Sequence, residues 1–504
     1  MPSTVTKSRF NVVNVGPRFR STKVAAATVR SVMTLAVLSV MLLSASRSAQ
    51  AQGEAVLYSF GGSSDGANPE SRLTPQGGNL YGTTFGGGLG SGTVFELSPN
   101  SSGGWTETVL YKFCSAQNCT DGANPTYSYV TFDSRGNLYG TAYAGGANGY
   151  GAVFELSPTQ SGWTETVLYS FTNSPDGANP VNGLLMDTAG NLYGTTFAGG
   201  STGNGTVFEM TSSAGKWTER DIYDISSTNS GLTMDAHGNI FGTTYRTVFE
   251  LIPNGQGGWS PKVIFTFTNA AKTGWNPNGT PVLDSAGNLY GTTVTGGANG
   301  AGTIYKLIPA KVGKWTEVIL HAFGTTNSHP LAGLVFDSAG NLYGTTSQGG
   351  RFGDGTVFEL VASKGSYAYK VLLAFTGEDG NSAYASMIWG GGYLYGTTFL
   401  GGSSGNGTVF AVNPNAAVTT TTLTSKPNPS NFGQTVTFTA TVTPAPPDGE
   451  LITFEAIGQA PLSGGKAIFQ TSSLPVGKTK VRAIYFGDLN FYSSRSVWHY
   501  QTVK

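Results

Sequence analysis

The phrase Asn-Leu-Tyr-Gly-Thr-Thr stands at residues 79–84, 191–196, 288–293 and 341–346 of this chain, with variants at 137–142, 239–244 and 393–398. Its second position falls at 80, 138, 192, 240, 289, 342 and 394, at intervals of 58, 54, 48, 49, 53 and 52 residues. A supersecondary unit recurring about every 50 residues predicts a propeller or a solenoid, because one such unit cannot bury its apolar face alone.

Each unit reads as four short strands. In the third they cover 182–187, 191–196, 206–210 and 217–225, with a tight turn at 188–190 and a glycine loop at 199–205. β-Branched and aromatic runs punctuated by glycine are strand signals, and four antiparallel strands make a propeller blade. A β-helix would need shorter, parallel rungs. The seventh unit stops after its third strand, 408–412, whereas residues 55–60, ahead of the first complete unit, match fourth strands such as 166–171. The expected fold is therefore all-β: a seven-bladed β-propeller over residues 52–415, closed by the N-terminal strand, which would cover an otherwise open sheet edge.

Composition agrees with many short strands joined by turns: 73 Gly among 504 residues, 12% aromatic and 11% charged. The formal net charge of zero hides an asymmetry. Residues 1–51 hold seven of the 28 Lys and Arg and no acid, leaving 21 basic against 28 acidic residues, a net of −7. That balance argues against a nucleic-acid partner and against an anionic membrane surface. The basic stretch ending at Arg30, the 14-residue apolar run 32–45 and Ala49-Gln50-Ala51 have the order of a secretory signal, with cleavage expected after Ala51. An uncleaved anchor is the alternative, although the run is short for a membrane span. An exported protein is expected: extracellular, on the cell surface or periplasmic. Cys114 and Cys119 then read as a local disulfide, with two free thiols as the alternative.

The phrases Leu-Tyr-Gly-Thr-Thr, Gly-Gly-x-x-Gly-x-Gly and Thr-Val-Phe-Glu-Leu, recurring in that order over 54–414, resemble the bacterial GloVer tandem repeat, whose proteins are called choice-of-anchor. The resemblance implies export and, for many members, a surface-anchoring segment; it carries no reaction or ligand. Residues 416–504 have a different texture, with strands expected at 419–424, 435–442, 451–455, 466–471, 478–486 and 494–503. Pro427-Asn428-Pro429-Ser430 and Tyr485-Phe486-Gly487-Asp488 look like a bacterial Ig-like repeat domain, which implies a small β-sandwich.

The glycine loops (86–92, 145–151, 199–205, 296–302, 349–355 and 401–407) run from strand to strand. They therefore read as hairpin connections, not as phosphate cradles, which open helices. The Asp-x-x-Gly-Asn turns at 133–137, 187–191, 235–239, 284–288 and 337–341 offer too few oxygens for calcium. Asp-Gly-Ala-Asn-Pro recurs between blades with Asp65 and Asn68, Asp121 and Asn124, and Asp176 and Asn179. Turn chemistry explains these, and a bridged cation or polar ligand is the alternative. The residue after Thr-Thr is Phe85, Tyr143, Phe197, Tyr245 or Phe399 in five neighbouring blades and Val294 or Ser347 in the other two. Propeller topology places these at one channel mouth, where aromatic faces can stack on sugar rings.

No catalytic constellation is expected. His237, His321, His329 and His499 fall on elements that cannot converge, and Glu96, Glu155, Glu209, Glu250 and Glu359 recur at one architectural position. The sequence thus favours a non-catalytic, monomeric secreted or surface interaction protein without cofactor or metal, binding polysaccharide or a surface protein. A propeller-type polysaccharide lyase or glycoside hydrolase is the alternative.

Overall fold

The computed structural model describes residues 53–504, apart from 229, 269, 311–314 and 325. The expected signal segment, 1–51, lies outside the described residues. Seven antiparallel β-sheets follow one another along the chain, arranged as a seven-bladed propeller. Blade 1 comprises Thr74–Gln76, Asn79–Thr84, Thr93–Pro99 and Trp105–Lys112, from the inner strand outward. Blade 7 comprises Ile388–Gly390, Tyr393–Thr398 and Thr408–Val412, and its outer strand is Glu54–Ser59, paired from Glu54↔Val412 to Ser59↔Thr408. Two short helical turns, Gln117–Cys119 and Ala270–Thr273, interrupt the strand pattern in inter-blade loops; the sequence reading lacked both. Blade 4 turns directly from Ile240–Thr243 to Thr247–Pro253, where its sequence lacks the glycine loop.

The recurring phrase has a separate structural task for each residue. Its leucine or isoleucine is buried in the cores between blades. Its glycine underlies an aromatic ring of the neighbouring strand, so that a Cβ on Gly82 would lie 2.6 Å from Phe95. The first threonine reaches the next blade. Thr83 Oγ1 donates to the carbonyl of Ser128 (2.8 Å), Thr141 to Asn182 (2.6 Å), Thr292 to Ala332 (2.8 Å) and Thr397 of blade 7 to Ser71 of blade 1 (3.0 Å). Thr195, Thr243 and Thr345 make the same bond, so all seven junctions have it. The second threonine pins its own blade: Thr84 and Thr93 share a hydroxyl bond of 2.9 Å, and four other blades repeat it across a glycine loop. Blade 2 replaces both partners with alanine, Ala142 opposite Ala152. A buried hydroxyl without its partner would cost about 1–3 kcal/mol, so the pair is lost together.

Seven apolar cores lie between consecutive blades. One of them joins Phe60 and Val409 of blade 7 to Leu73, Leu80, Phe95 and Leu97 of blade 1. Beyond the propeller, nine strands from Thr420–Lys426 to His499–Val503 form a seven-stranded and a two-stranded sheet around one core, which includes Val436, Phe438, Ile452, Phe454 and Val481. The expected strand 478–486 is two strands, Gly477–Val481 and Ala483–Tyr485, and Gly458–Ser463 is a strand that the sequence reading missed. Tyr393 Oη and Asn413 Nδ2 of the propeller both donate to Asn490 Oδ1 (3.1 and 3.2 Å).

Candidate functional site

Loops entering each blade and loops joining its second and third strands share one face. The Asp-Gly-Ala-Asn-Pro segments are built into that face as structural joints. Asp65 Oδ2 accepts from Tyr58 Oη (2.9 Å) and the Gly61 N–H (2.7 Å). Asp121 Oδ2 accepts from Tyr111 Oη (2.7 Å), and Asp176 Oδ2 from Tyr169 Oη (2.6 Å). The asparagines stitch adjacent blades. Asn68 Nδ2 donates to the Phe399 carbonyl (2.9 Å), Asn124 to Phe85 (3.0 Å) and Asn179 to Tyr143 (3.1 Å). All three have φ between 52° and 59°, the left-handed region that asparagine tolerates. Their amides are therefore committed to the fold.

The Asp-x-x-Gly-Asn turns are equally self-contained. Asp133 Oδ1 accepts from the Arg135 and Asn137 N–H groups (2.8 and 2.9 Å), and Oδ2 accepts from Asn137 Nδ2 and Tyr139 Oη (3.0 and 3.2 Å). Among the described residues no group of three His, Cys, Asp or Glu is placed to hold a metal ion. Cys114 and Cys119 are joined as a disulfide.

Of the expected aromatic crescent, Phe85 and Phe197 are 37% exposed and Tyr245 is 49% exposed, whereas Tyr143 and Phe399 are half-buried. Val294 and Ser347 are buried. Tyr245 packs edge-on against Trp275 at 6.0 Å, and Phe399 packs against Tyr384 at 5.2 Å. The sequence reading missed further exposed apolar residues on or beside the glycine loops, Leu89, Tyr150, Phe352 and Leu400. A single large residue interrupting a run of glycines was the available signal.

Just inside the channel from this face lies a narrow cleft with about 30 Å³ of enclosed space behind an open mouth. Blades 7, 1 and 2 contribute Tyr384, Glu70, Arg72, Tyr127 and Tyr129 to it. The opposite wall carries smaller groups, among them Asn182, Asn278, Gly279 and Gly333. The Arg72 guanidinium lies 4.1 Å from the centroid of the Tyr129 ring. Burial pushes the Glu70 carboxyl up to about 7 against one hydrogen bond from the Tyr127 backbone, and burial beside Glu70 also raises the Tyr127 phenol. The sequence reading passed over Glu70, Arg72 and Tyr127. They stand two to four residues after the asparagine of Asp-Gly-Ala-Asn-Pro, just ahead of the inner strand, where blades 3 and 6 carry Val181, Gly183, Leu331 and Gly333 among others.

A second row of acids lies away from the cleft, on the outer strands. Glu107, Glu165 and Glu219 each approach the inter-blade aspartate of their own blade. Burial first, and then Asp65 or Asp121, lifts Glu107 and Glu165 to about 7, while burial, Asp221 and Asp176 lift Glu219 to about 8. Burial alone lifts Glu317 to about 8, and burial with Asp379 holds Glu54 well above the ordinary range.

A repeat propeller of this kind defines the class, and the comparisons supply the family. The chain belongs to the Gloeobacter/Verrucomicrobia repeat family, whose repeat matches residues 105–248, 245–426 and 313–473. No protein of curated function matches the sequence. Among solved structures it is similar to the extracellular domain assigned to the hybrid two-component system BT3049 of B. thetaiotaomicron, at 14% identity and a TM-score of 0.47, over 90% of this chain and 58% of that one. It is also similar to the polysaccharide lyase Uly1, at 12% identity and a TM-score of 0.43, over 70% of this chain and 91% of that one. The chain thus spans less than two thirds of the sensor domain's length. No described helix is long and apolar enough to cross a membrane.

Proposed function

We propose that this is an exported, non-catalytic interaction protein whose propeller presents one rigid face to a polysaccharide or another surface partner. Residues 1–51 are its signal segment and residues 52–415 its propeller. The strand Glu54–Ser59 seals the ring by completing blade 7. Residues 416–504 form an Ig-like sandwich that spaces the propeller from its attachment; the single core of that unit supports this reading.

The observation that carries the functional reading is the exposure of Phe85, Phe197 and Tyr245 around one channel mouth. Aromatic faces left in water at equivalent positions of different blades suit the C–H-rich faces of sugar rings. A hydrolase or lyase finds less support, since among the described residues Glu70 is the one acid lining the cleft, with no second carboxylate across it. The test is a panel of soluble polysaccharides with the purified chain. Replacing Phe85, Phe197 and Tyr245 together by Ala should weaken binding at least tenfold, each stacked ring contributing on the order of 0.5–1.5 kcal/mol. Unchanged affinity in the triple variant, or accumulation of cleaved sugar, defeats the proposal.

A further inference from the structure

The channel cleft holds two charged groups that are only partly satisfied: Glu70 has one hydrogen bond, from the Tyr127 backbone, and the Arg72 guanidinium has the face of Tyr129. Glu70 is 6% exposed, and its Oε1 accepts no hydrogen bond. Arg72 Nε is buried and donates to nothing, and among the described residues no carboxylate lies within ion-pair distance of its guanidinium. The two residues are two positions apart, so at most about 7 Å of chain separates them. They line the same cleft and still do not pair with each other.

Buried polar atoms left unpaired are costly, and a fold this regular had cheaper choices at both positions. The equivalents of Arg72 in blades 3, 4 and 6 are Gly183, Gly231 and Gly333, and the equivalents of Glu70 in blades 3 and 6 are Val181 and Leu331. The opposite wall is closed tightly. A Cβ on Gly279 would strike the Gly333 backbone, and one on Gly333 would lie 2.8 Å from Ser386 Oγ. The cleft therefore admits a small molecule or one end group.

We infer that this cleft is a binding site for a small zwitterion of the amino-acid class, its carboxylate on Arg72 and its ammonium between Glu70 and the rings of Tyr127 and Tyr384. The guanidinium offers a carboxylate paired N–H donors. The carboxyl and the electron-rich phenol faces suit an ammonium. An anion alone leaves Glu70 unpartnered, and a cation alone meets the positive charge of Arg72. Only a dipolar ligand satisfies both groups. The titratable groups facing Glu70 in the cleft are Tyr127, Tyr384, Arg72 and Tyr129. Burial raises the Tyr127 phenol, while the Glu70 carboxyl, buried in the same cleft and lifted to about 7, governs the pH response.

Calorimetric titration of the full chain at pH 8 with glycine, γ-aminobutyrate and 6-aminohexanoate samples three charge separations; acetate and methylammonium are the single-charge controls. At least one dipolar probe should bind tenfold or more tightly than either control. Arg72→Met and Glu70→Gln should each cost at least tenfold, and Arg72→Lys should lose less than Arg72→Met. If these variants fail to fold, the native chain still gives a readout, because dipolar binding should weaken as pH falls from 7 to 5, approaching tenfold per unit. Acetate binding as well as the dipolar probes, absence of binding by all five, or affinity independent of pH would each overturn the inference. Polysaccharide binding through the crescent is scored separately, so either reading can fail alone.

Discussion

Consider Phe60→Ala. Phe60 is fully buried just after the strand Glu54–Ser59, and it packs edge-on against Tyr58 at 5.0 Å and Phe95 of blade 1 at 5.2 Å. Its N–H donates to the Gly407 carbonyl of blade 7 (3.0 Å). Truncating a buried Phe costs about 3–5 kcal/mol through lost transfer free energy and the cavity left behind. Phe113 is the internal control: it is equally buried, sits edge-on to Tyr111 and Phe154 at 5.3 and 5.1 Å, and donates to Gly92 (3.1 Å). If the N-terminal strand seals the ring, Phe60→Ala and Phe113→Ala should lower stability by similar amounts, although one lies at the start of the described fold and the other in its interior. Urea unfolding followed by tryptophan fluorescence and far-UV circular dichroism gives the two costs. Hydrogen exchange shows where protection is lost. A cost under about 1 kcal/mol for Phe60→Ala, well below the 3–5 kcal/mol expected of a buried Phe, with exchange rising only in 54–60 and 408–412, would refute the sealing role.

The outer-strand acids set a pH dependence. Glu107 and Glu165 at about 7, and Glu219 and Glu317 at about 8, lie above the ordinary 4.5, so the folded state binds more protons than the unfolded chain. Their contribution is fully present below about pH 4.5 and is lost as pH rises through 7 to 8. Asp133 and Asp284 act oppositely: turn hydrogen bonds outweigh burial, hold them below 3.8 and withdraw support in stronger acid. Thermal melts should therefore show a higher midpoint at pH 5 than at pH 8.5, and Glu219→Gln should flatten that slope; a midpoint rising between these pH values contradicts the assignment. The threonine pairs predict coupling: Thr84→Ala strips the buried Thr93 hydroxyl of its partner, Thr93→Ala leaves Thr84 Oγ1 only its bonds to the Gly86 carbonyl and the residue-93 N–H, and the double variant reproduces the Ala142–Ala152 arrangement of blade 2. The double cost should fall short of the summed single costs by about 0.5–3 kcal/mol in a denaturation cycle; strict additivity refutes the pairing.

Much of the architecture was legible because each blade obeys the same local rules. Six spacings near 50 residues, glycine loops between β-branched runs and a missing outer strand in the last unit were enough to anticipate seven sheets and the pairing of the N-terminal strand with 408–412. The first threonine of Thr-Thr could not be read that way, since its partner is a carbonyl 34 to 45 residues onward in six blades and 326 residues back in the seventh, and nothing local marks the bond. The same limit hid the outer acids. Glu107, Glu165 and Glu219 look like ordinary exposed positions in Trp-Thr-Glu strings, and only tertiary packing brings each one beside the aspartate at the entry to its blade. At 458–463 and 478–486 the C-terminal strands misled for another reason: short alternating runs do not reveal where a strand breaks to change partners.

Repetition itself sorts structure from function here. Asn68, Asn124 and Asn179 were candidates for ligand contact because they recur, yet recurrence is what a joint needs when seven junctions must be equivalent. Each of them donates to the carbonyl of an aromatic residue in the preceding blade. A ligand, by contrast, has no sevenfold symmetry and is best met where the repeat departs from itself. Two kinds of departure coincide on one face. The crescent changes from Phe and Tyr to Val294 and Ser347 in two blades, and the segments ahead of the inner strands, which carry no charge in the other blades' equivalents, bring Glu70 and Arg72 together in blade 1 beside Tyr127 of blade 2. Tyr384, from the blade that neighbours blade 1 around the ring, touches both regions by packing on Phe399 while lining the cleft. If departure from the repeat marks the site, Tyr384→Ala should impair binding in the cleft and at the crescent alike. A purely architectural residue such as Thr83 should alter stability and leave both affinities in place.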